Sequence, residues 1–534
     1  MQKSFSLAVK NVAAYGDTDV FPFPIENAMF QDNTAEIVEL LLKIERASDF
    51  ETNLERYPLT SVTHLAAAGY SGFRAVTQID PLWNAYLLGA VVALGVQIEA
   101  ARIAGNENSV FAYRFMPDHS TSSLFDRNSG WRQFQLESVK RAQSASFVVS
   151  CDISDFYSRI YHHRIENALK RATSDHHLVP RIMKVLMGLS KGTSYGLPIG
   201  GPAARLLSEL LLNSVDHLLR MQGIRFTRFV DDYYLFADTK QNAYRYLLFL
   251  SEKLHQNEGL SLQRAKSRIM TTQEFLATSD FTEQEGPSTE SERANKKLRS
   301  ISLYFDPYSQ TAGEDYERLR QSLLEFDIAG MLQEELRKSR IHQPTARKLM
   351  AAIPHLDVLV KRAAVETMLE NLELLAPVFP SVMMVLKDLV RGDDQAVQTQ
   401  IFPRMRALFF DGPPLISLPG NVAFYLRVLA YDRSPEADQI LTSVFEKTES
   451  PSSRRDIINI MTLRANTHWL SDRIKVYETS TLWERRAHLV ASFVLGDEGS
   501  HWRKRIKAGL SEYDQILLGW AGARKQAGRT GLPL

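Results

Sequence analysis

The chain has 534 residues, 44% hydrophobic and 23% charged, with a formal net charge of +1. That length exceeds what one hydrophobic core holds and predicts two or more domains. The balanced charge excludes a global basic field, so any nucleic-acid contact must rest on a local patch. The single cysteine, Cys151, excludes an intramolecular disulfide framework and fits a reducing compartment.

The N-terminal residues contain no apolar run of the length a secretory signal needs. Val20–Pro24 is extended by its prolines. Ile37, Leu40, Leu41 and Ile44 recur at helical spacing after an Asn33/Thr34 cap, which predicts a helix over 34–48. The stretch 50–74 has no decisive pattern. Leu82–Ile98 is nearly all apolar and close to membrane-spanning length. Asn84 inside it, Asp80-Pro81 before it and Glu99 after it, without a basic flank, predict a buried core helix over 81–104 instead.

Ser109–Phe115 reads as a short strand carrying Arg114, and Trp131–Ala142 as a helix. Ser146–Ile153 is a buried strand with Asp152 at its C-terminal end, and helices follow from Ile160 and Val179. Lys191–Pro202, KGTSYGLPIGGP, is a loop whose Gly and Pro content demands special backbone geometry. A leucine-rich helix follows over 203–221. Arg225–Ala237, RFTRFVDDYYLFA, then reads as strand, tight turn and strand, with Asp231 and Asp232 at the turn. A helix over 242–258 ends at Gly259, and Leu260–Met270, carrying Lys266, reads as strand, turn and strand. Ser279–Lys297 is polar and reads as the end of the first functional unit, an insertion being the alternative to a linker. Beyond about 310 the periodic segments are helical, over 316–339, 356–374, 422–431, 436–445, 454–463, 482–495 and 513–520. They predict stacked helical hairpins without a clean repeat signature.

Asp152, Asp231 and Asp232 are acids at strand ends that converge if those strands are neighbours in one sheet. Hard oxygen ligands of this kind suit Mg²⁺ whose shell is completed by substrate phosphates, and two such ions can serve an in-line displacement. The pairs His162-His163 and His176-His177 lack partners at metal-site spacing and are expected to be structural or solvated. The basic run Trp502–Lys507 is expected to be a solvated helix face.

In this order the motifs resemble those of reverse transcriptases. CDISDFY matches the first catalytic motif, GLPIGGPAARLLSEL the loop and helix after it, RFVDDYYLF the Asp-Asp motif and LSLQRAKSRI the next, together covering roughly residues 50–275. The resemblance implies an α+β fold: right-hand polymerase fingers and palm with a ferredoxin-like palm sheet over 1–300. An all-α, HEAT-like helical-repeat domain would follow over 301–534. It implies nucleotidyl transfer from dNTPs with two Mg²⁺ ions, Mn²⁺ being an alternative. Asp152, Asp231, Asp232 and the carbonyl of Ile153 would serve the metals. Arg114, Tyr157, Pro198, Ile199, Gly200, Gly201 and Lys266 would contact the nucleotide, with Tyr157 at the sugar-gate position. Ile199 stands where many members carry Gln, which alters the handling of a template strand.

Ile199, the GGPAAR loop and the long helical region resemble the abortive-infection reverse transcriptases of bacteria and their prophages, the AbiK-like group. That narrower likeness implies cytoplasmic phage defence and template-independent synthesis of single-stranded DNA. It further implies a primer hydroxyl of the protein itself, covalently attached product and a homo-oligomer, with no membrane involved. The sequence does not choose the primer among 19 tyrosines; Tyr15 is one candidate. Two alternatives remain open at this level: a templated enzyme copying a partner noncoding RNA, and a catalytically idle scaffold.

Overall fold

The structure, a computed structural model, describes residues 1–18, 21–70, 72–175, 177–278, 298, 321–323, 326–338, 340–392, 395–411, 414–528 and 532–534. The polar stretch 279–297, part of the helical segment expected over 316–339, and the residues Val20 and His176 lie outside the described residues.

A four-stranded antiparallel sheet positions the site. Its strands are β5 (Phe147–Asp152), β6 (Arg225–Phe229), β7 (Asp232–Ala237) and β8 (Arg268–Thr271), in the order β6-β7-β5-β8. The helices Pro202–Met221 and Lys240–Lys253 fall between β5 and β6 and between β7 and β8. This βαββαβ sequence with that strand order is the ferredoxin-like topology expected for a polymerase palm. Val148 and Val149 of β5 are fully buried, one on each face, as a strand covered on both sides requires. The helix Trp131–Ala142 packs on β6 and β7 from the side opposite the long helices.

The apolar stretch after Asp80 is buried, as its composition implies, but it is two helices rather than one. Pro81–Ala93 ends at Leu94, and a second helix runs over Gly95–Ala101, bent by 52° from the first. The ring of Phe115 lies where a Cβ on Gly95 would be, 2.4 Å from that position, so glycine permits a contact that turns the chain. Among the described residues no single helix is long and apolar enough to cross a membrane.

Residues 50–79 resolve into a short helix, Phe50–Arg56, and a hairpin of β1 (Ser61–Ala67) and β2 (Phe73–Ile79). The strand expected over 109–115 is displaced. Val110 makes only an isolated bridge to Arg228, and β3 begins at Phe115 (Phe115–Asp118), paired with β4 (Ser123–Phe125). The strand-turn-strand reading of 260–270 holds in part: Leu262 bridges Ile153, a turn follows, and β8 completes the sheet.

From Ile328 onward the described residues are helices and loops. Buried apolar residues between Leu323 and Ile440 make up most of one core. Those from Leu426 to Trp520 instead join the core that holds the sheet and the N-terminal helices. Polar contacts tie the same halves together. Trp520 Nε1 donates to Asp32 at 2.8 Å, His64 meets Ser450 at 2.9 Å, and Arg427 donates to the Phe23 carbonyl at 3.0 Å.

Candidate active site

Asp152 ends β5 directly opposite Asp232, the first residue of β7, and Asp231 sits in the turn between β6 and β7. Sheet register therefore supplies the third carboxylate: ligand oxygens of Asp152, Asp231 and Asp232 all lie within 4.8 Å of one another. The Ile153 amide donates to the Asp231 carbonyl at 3.2 Å, and the Gln263 amide to the Asp152 carbonyl at 2.7 Å. The two acidic segments are thereby fixed by backbone as well as by pairing.

Burial is the largest cause raising the Asp231 carboxyl to about 6 and the Asp232 carboxyl to about 7, and the neighbouring acids add to it. Lys266 is the cation at this cluster, its Nζ 3.0 Å from Asp152 Oδ2. Although its own burial opposes this, the three carboxylates raise the Lys266 ammonium above the usual lysine value. Three crowded oxygen donors with one exposed lysine beside them fit a hard divalent ion such as Mg²⁺.

The turn itself is strained. Val230 has φ +56°, a left-handed conformation that a β-branched residue adopts only under constraint. The constraint is a buried network absent from the sequence reading. Arg228 is fully buried and donates through Nη1 to the Val230 carbonyl at 2.9 Å. The rest of its guanidinium binds Asp216 (2.6 Å from Nη2) and Glu209 (2.9 Å from Nη2) on the helix Pro202–Met221. Glu209 in turn accepts from Arg102 at 2.6 Å. Burial is the largest influence on Asp216 and raises its carboxyl; Arg228 opposes the rise. The signal was available: Glu209 and Asp216 stand seven residues apart, on one face of the helix and among its leucines.

The other expected site residues divide. Tyr157 is half-buried beside Phe156, and Ser208 Oγ donates to its hydroxyl at 3.5 Å. Its carbonyl accepts from Leu197 at 2.9 Å, which anchors the Gly-Pro loop next to β5. In that loop Pro198, Ile199 and Gly200 are half-buried and Gly201 is buried. Gly200 has φ +122°, and a Cβ there would lie 2.6 Å from Thr18 Cβ and 2.8 Å from the Asp17 carbonyl. Ile199 packs on a small cluster of Phe21, Ala66 and Val76. The N-terminal segment thus lies on the loop.

Arg114 does not present a free guanidinium for a triphosphate. It is buried, its Nε 2.9 Å from Glu99 Oε1 and its Nη2 2.8 Å from the Ile103 carbonyl. The expected strand that would have projected it is missing, and its place beside the apolar break at Gly95–Ala101 turns it inward. Tyr15 is exposed at the end of the helix Gln2–Tyr15, and its hydroxyl donates to the Thr121 carbonyl at 2.9 Å. His162 is buried against the Gly196 carbonyl at 2.7 Å, while His163 and His177 pair with Glu166 and Glu45. In the 502–507 run Trp502 is buried and Arg503 lies over the Phe493 ring, leaving Lys504, Arg505 and Lys507 exposed.

The family comparison agrees with this geometry. Residues 94–293 match the family model described as reverse transcriptase (RNA-dependent DNA polymerase). No curated protein matches the sequence. Among solved structures, telomerase from Candida albicans in complex with a fragment of telomeric RNA is similar at 10% identity and a TM-score of 0.32, over 66% of this chain and 67% of that one. Apo telomerase from Candida tropicalis is similar at 10% identity and a TM-score of 0.31, over 66% of this chain and 72% of that one. The family match spans the β5 and β7 carboxylates and the Gly-Pro loop: this chain carries a reverse transcriptase domain over residues 94–293.

Proposed function

We propose that the protein is a DNA polymerase that adds dNTPs by two-metal nucleotidyl transfer, without a template, from a hydroxyl of the protein itself. The observation that supports template independence is the contact of Asp17 and Thr18 with Gly200, together with the burial of Ile199 against Phe21. The loop expected beneath a templated base pair is covered by the chain's own N-terminal segment and has an apolar side chain where a polar contact is expected.

Asp152 and Asp231 would hold the ions, with Asp232, paired in register with Asp152, supporting them. Bound Mg²⁺ would supply activation of the attacking hydroxyl and neutralisation of the departing pyrophosphate. The primer oxygen bonds to the α-phosphorus, the bond to the bridging oxygen breaks, and the primer proton passes to solvent. Tyr157 stands against the sugar, and Lys266, exposed at the Asp152 edge, meets the triphosphate. The motif order and the helical region after residue 328 support the likeness to abortive-infection enzymes. On this reading the protein acts in cytoplasmic phage defence as a homo-oligomer with single-stranded DNA attached. The helices form a HEAT-like repeat region.

Purified protein given only dNTPs and Mg²⁺ tests the reading. The expected product is a DNA polymer that stays with the protein through denaturing gels and is released by protease. Synthesis only on addition of an RNA or DNA template would overturn it.

A further inference from the structure

Away from the carboxylates, a cavity of about 370 Å³ lies where the N-terminal segment meets the helical region. The helix Phe379–Arg391 lines it with Met384, Lys387 and Arg391, spaced three and four residues apart and so on one face. The helix Pro419–Leu429 contributes Phe424 and Arg427, and Phe21 and Phe23 close it from the N-terminal side.

Pro533 and Leu534 complete the lining, and its charged side chains, Lys387, Arg391 and Arg427, are all cations. Arg427 is 3% exposed; its Nη2 is used by the Phe23 carbonyl at 3.0 Å and Asp456 at 3.2 Å, but its Nε is buried with no hydrogen-bond partner. Asp456 is itself shared with Arg455 at 2.9 Å. The Lys387 side chain is 13% exposed, and its carboxylate neighbour Asp388, 3.6 Å away, is largely in solvent. Burial first, then Arg427 and Arg391, lower the Lys387 ammonium below the usual lysine value, an effect that Asp388 only partly offsets. Lys387 and Arg391 line the cavity, and the carboxylate beside Lys387 is largely in solvent, so an anion in the cavity would complete them. The aromatic walls supply what a planar base needs, and the volume is at the low end for a small-molecule site.

We infer that this cavity binds a mononucleotide, its phosphate on Lys387, Arg391 and Arg427 and its base against Phe21, Phe23 and Phe424. The site is separate from the three carboxylates, yet it adjoins the polymerase loop. Thr18 lines the cavity and abuts Gly200, while Phe21 lines it and packs with Ile199. The nucleotide is therefore placed to act as an effector through the segment covering that loop.

The test uses the full chain carrying Asp231→Asn, in chelator, so that metal-dependent capture at the carboxylates is absent. Binding of dAMP is measured by calorimetry beside adenosine and inorganic phosphate. The expected result is saturable dAMP binding, at least about tenfold tighter than either fragment. Lys387→Ala and Arg391→Ala should each weaken it about tenfold. Met384→Trp, which fills the cavity without removing a charge, should abolish it, with folding checked by thermal melting. Absence of dAMP binding, phosphate binding as tightly as dAMP, or binding unchanged in the variants that fold would overturn the assignment.

Discussion

Arg228 Nη1 donates to the carbonyl of Val230 at 2.9 Å, joining a fully buried cation to the strained residue that precedes the Asp231-Asp232 pair. The turn holds its left-handed valine because Glu209 and Asp216 fix the guanidinium from behind. Arg228→Lys keeps the charge but loses the planar fork that reaches three acceptors at once. The expected outcome is a folded protein with kcat for nucleotide addition down about a hundredfold and KM for dNTP little changed, since a misplacement of about 1 Å costs that much. Arg228→Met leaves the buried Asp216 without its cation, and Glu209 with Arg102 alone, and should cost about 3–5 kcal/mol in denaturant unfolding. Unchanged kcat in a folded Arg228→Lys protein would remove the positioning role.

Metal binding should release protons. With Asp231 near 6 and Asp232 near 7 in the metal-free protein, an ion must displace protons below those values, so its affinity climbs as pH rises and levels off above about 7. The sign for stability is opposite. Both carboxyls are raised above their unfolded values, so the folded state holds more protons between about 4 and 7. The metal-free protein therefore loses stability as pH rises through that window. Mg²⁺ titrations in buffers of different ionisation enthalpy, together with melts at pH 5 and 8, check both signs.

Asp231→Asn should separate stability from activity. It removes a ligand and should lower nucleotide addition by about two orders of magnitude or more, of the size seen for groups that stabilise transition-state charge. It also removes one of three crowded carboxylates within 4.8 Å. The metal-free variant should therefore melt at or above the wild-type temperature at pH 8. A lower melting temperature there would mean that Asp231 is a structural acid.

Gly200→Ala tests the covered loop. At φ +122°, with Thr18 Cβ 2.6 Å and the Asp17 carbonyl 2.8 Å from the added methyl, the substitution forces the N-terminal segment away. Unfolding should become easier by about 1–3 kcal/mol, the cost of a side chain held in a sparsely populated backbone region. Protease should cut near residue 18 faster than in the wild type. A wild-type digestion pattern would show that the segment does not rest on the loop.

Much of the site was legible before any fold was known. Asp152, the Gly-Pro loop, Asp231-Asp232 and Lys266 are recognisable because each falls in a short contiguous motif, and the motifs run in one order. Local periodicity was enough for β5, the helix ending at Met221 and the β6–β7 hairpin, since their burial follows from their own alternation or helical spacing. It failed at Leu94, where the bend depends on Phe115, a residue twenty positions away that fills the space a side chain at 95 would take.

The sequence by itself determined which acids are present and that they end strands. Only tertiary structure decided that they meet, because strand register alone places Asp152 opposite Asp232. It also decided that Arg114 faces Glu99, that Arg228 holds the turn, and that Asp17 and Thr18 lie on Gly200. Those outcomes depend on long-range packing and on where a buried charge finds its partner. A contiguous motif carries a residue's chemistry but not its distance from groups elsewhere in the chain.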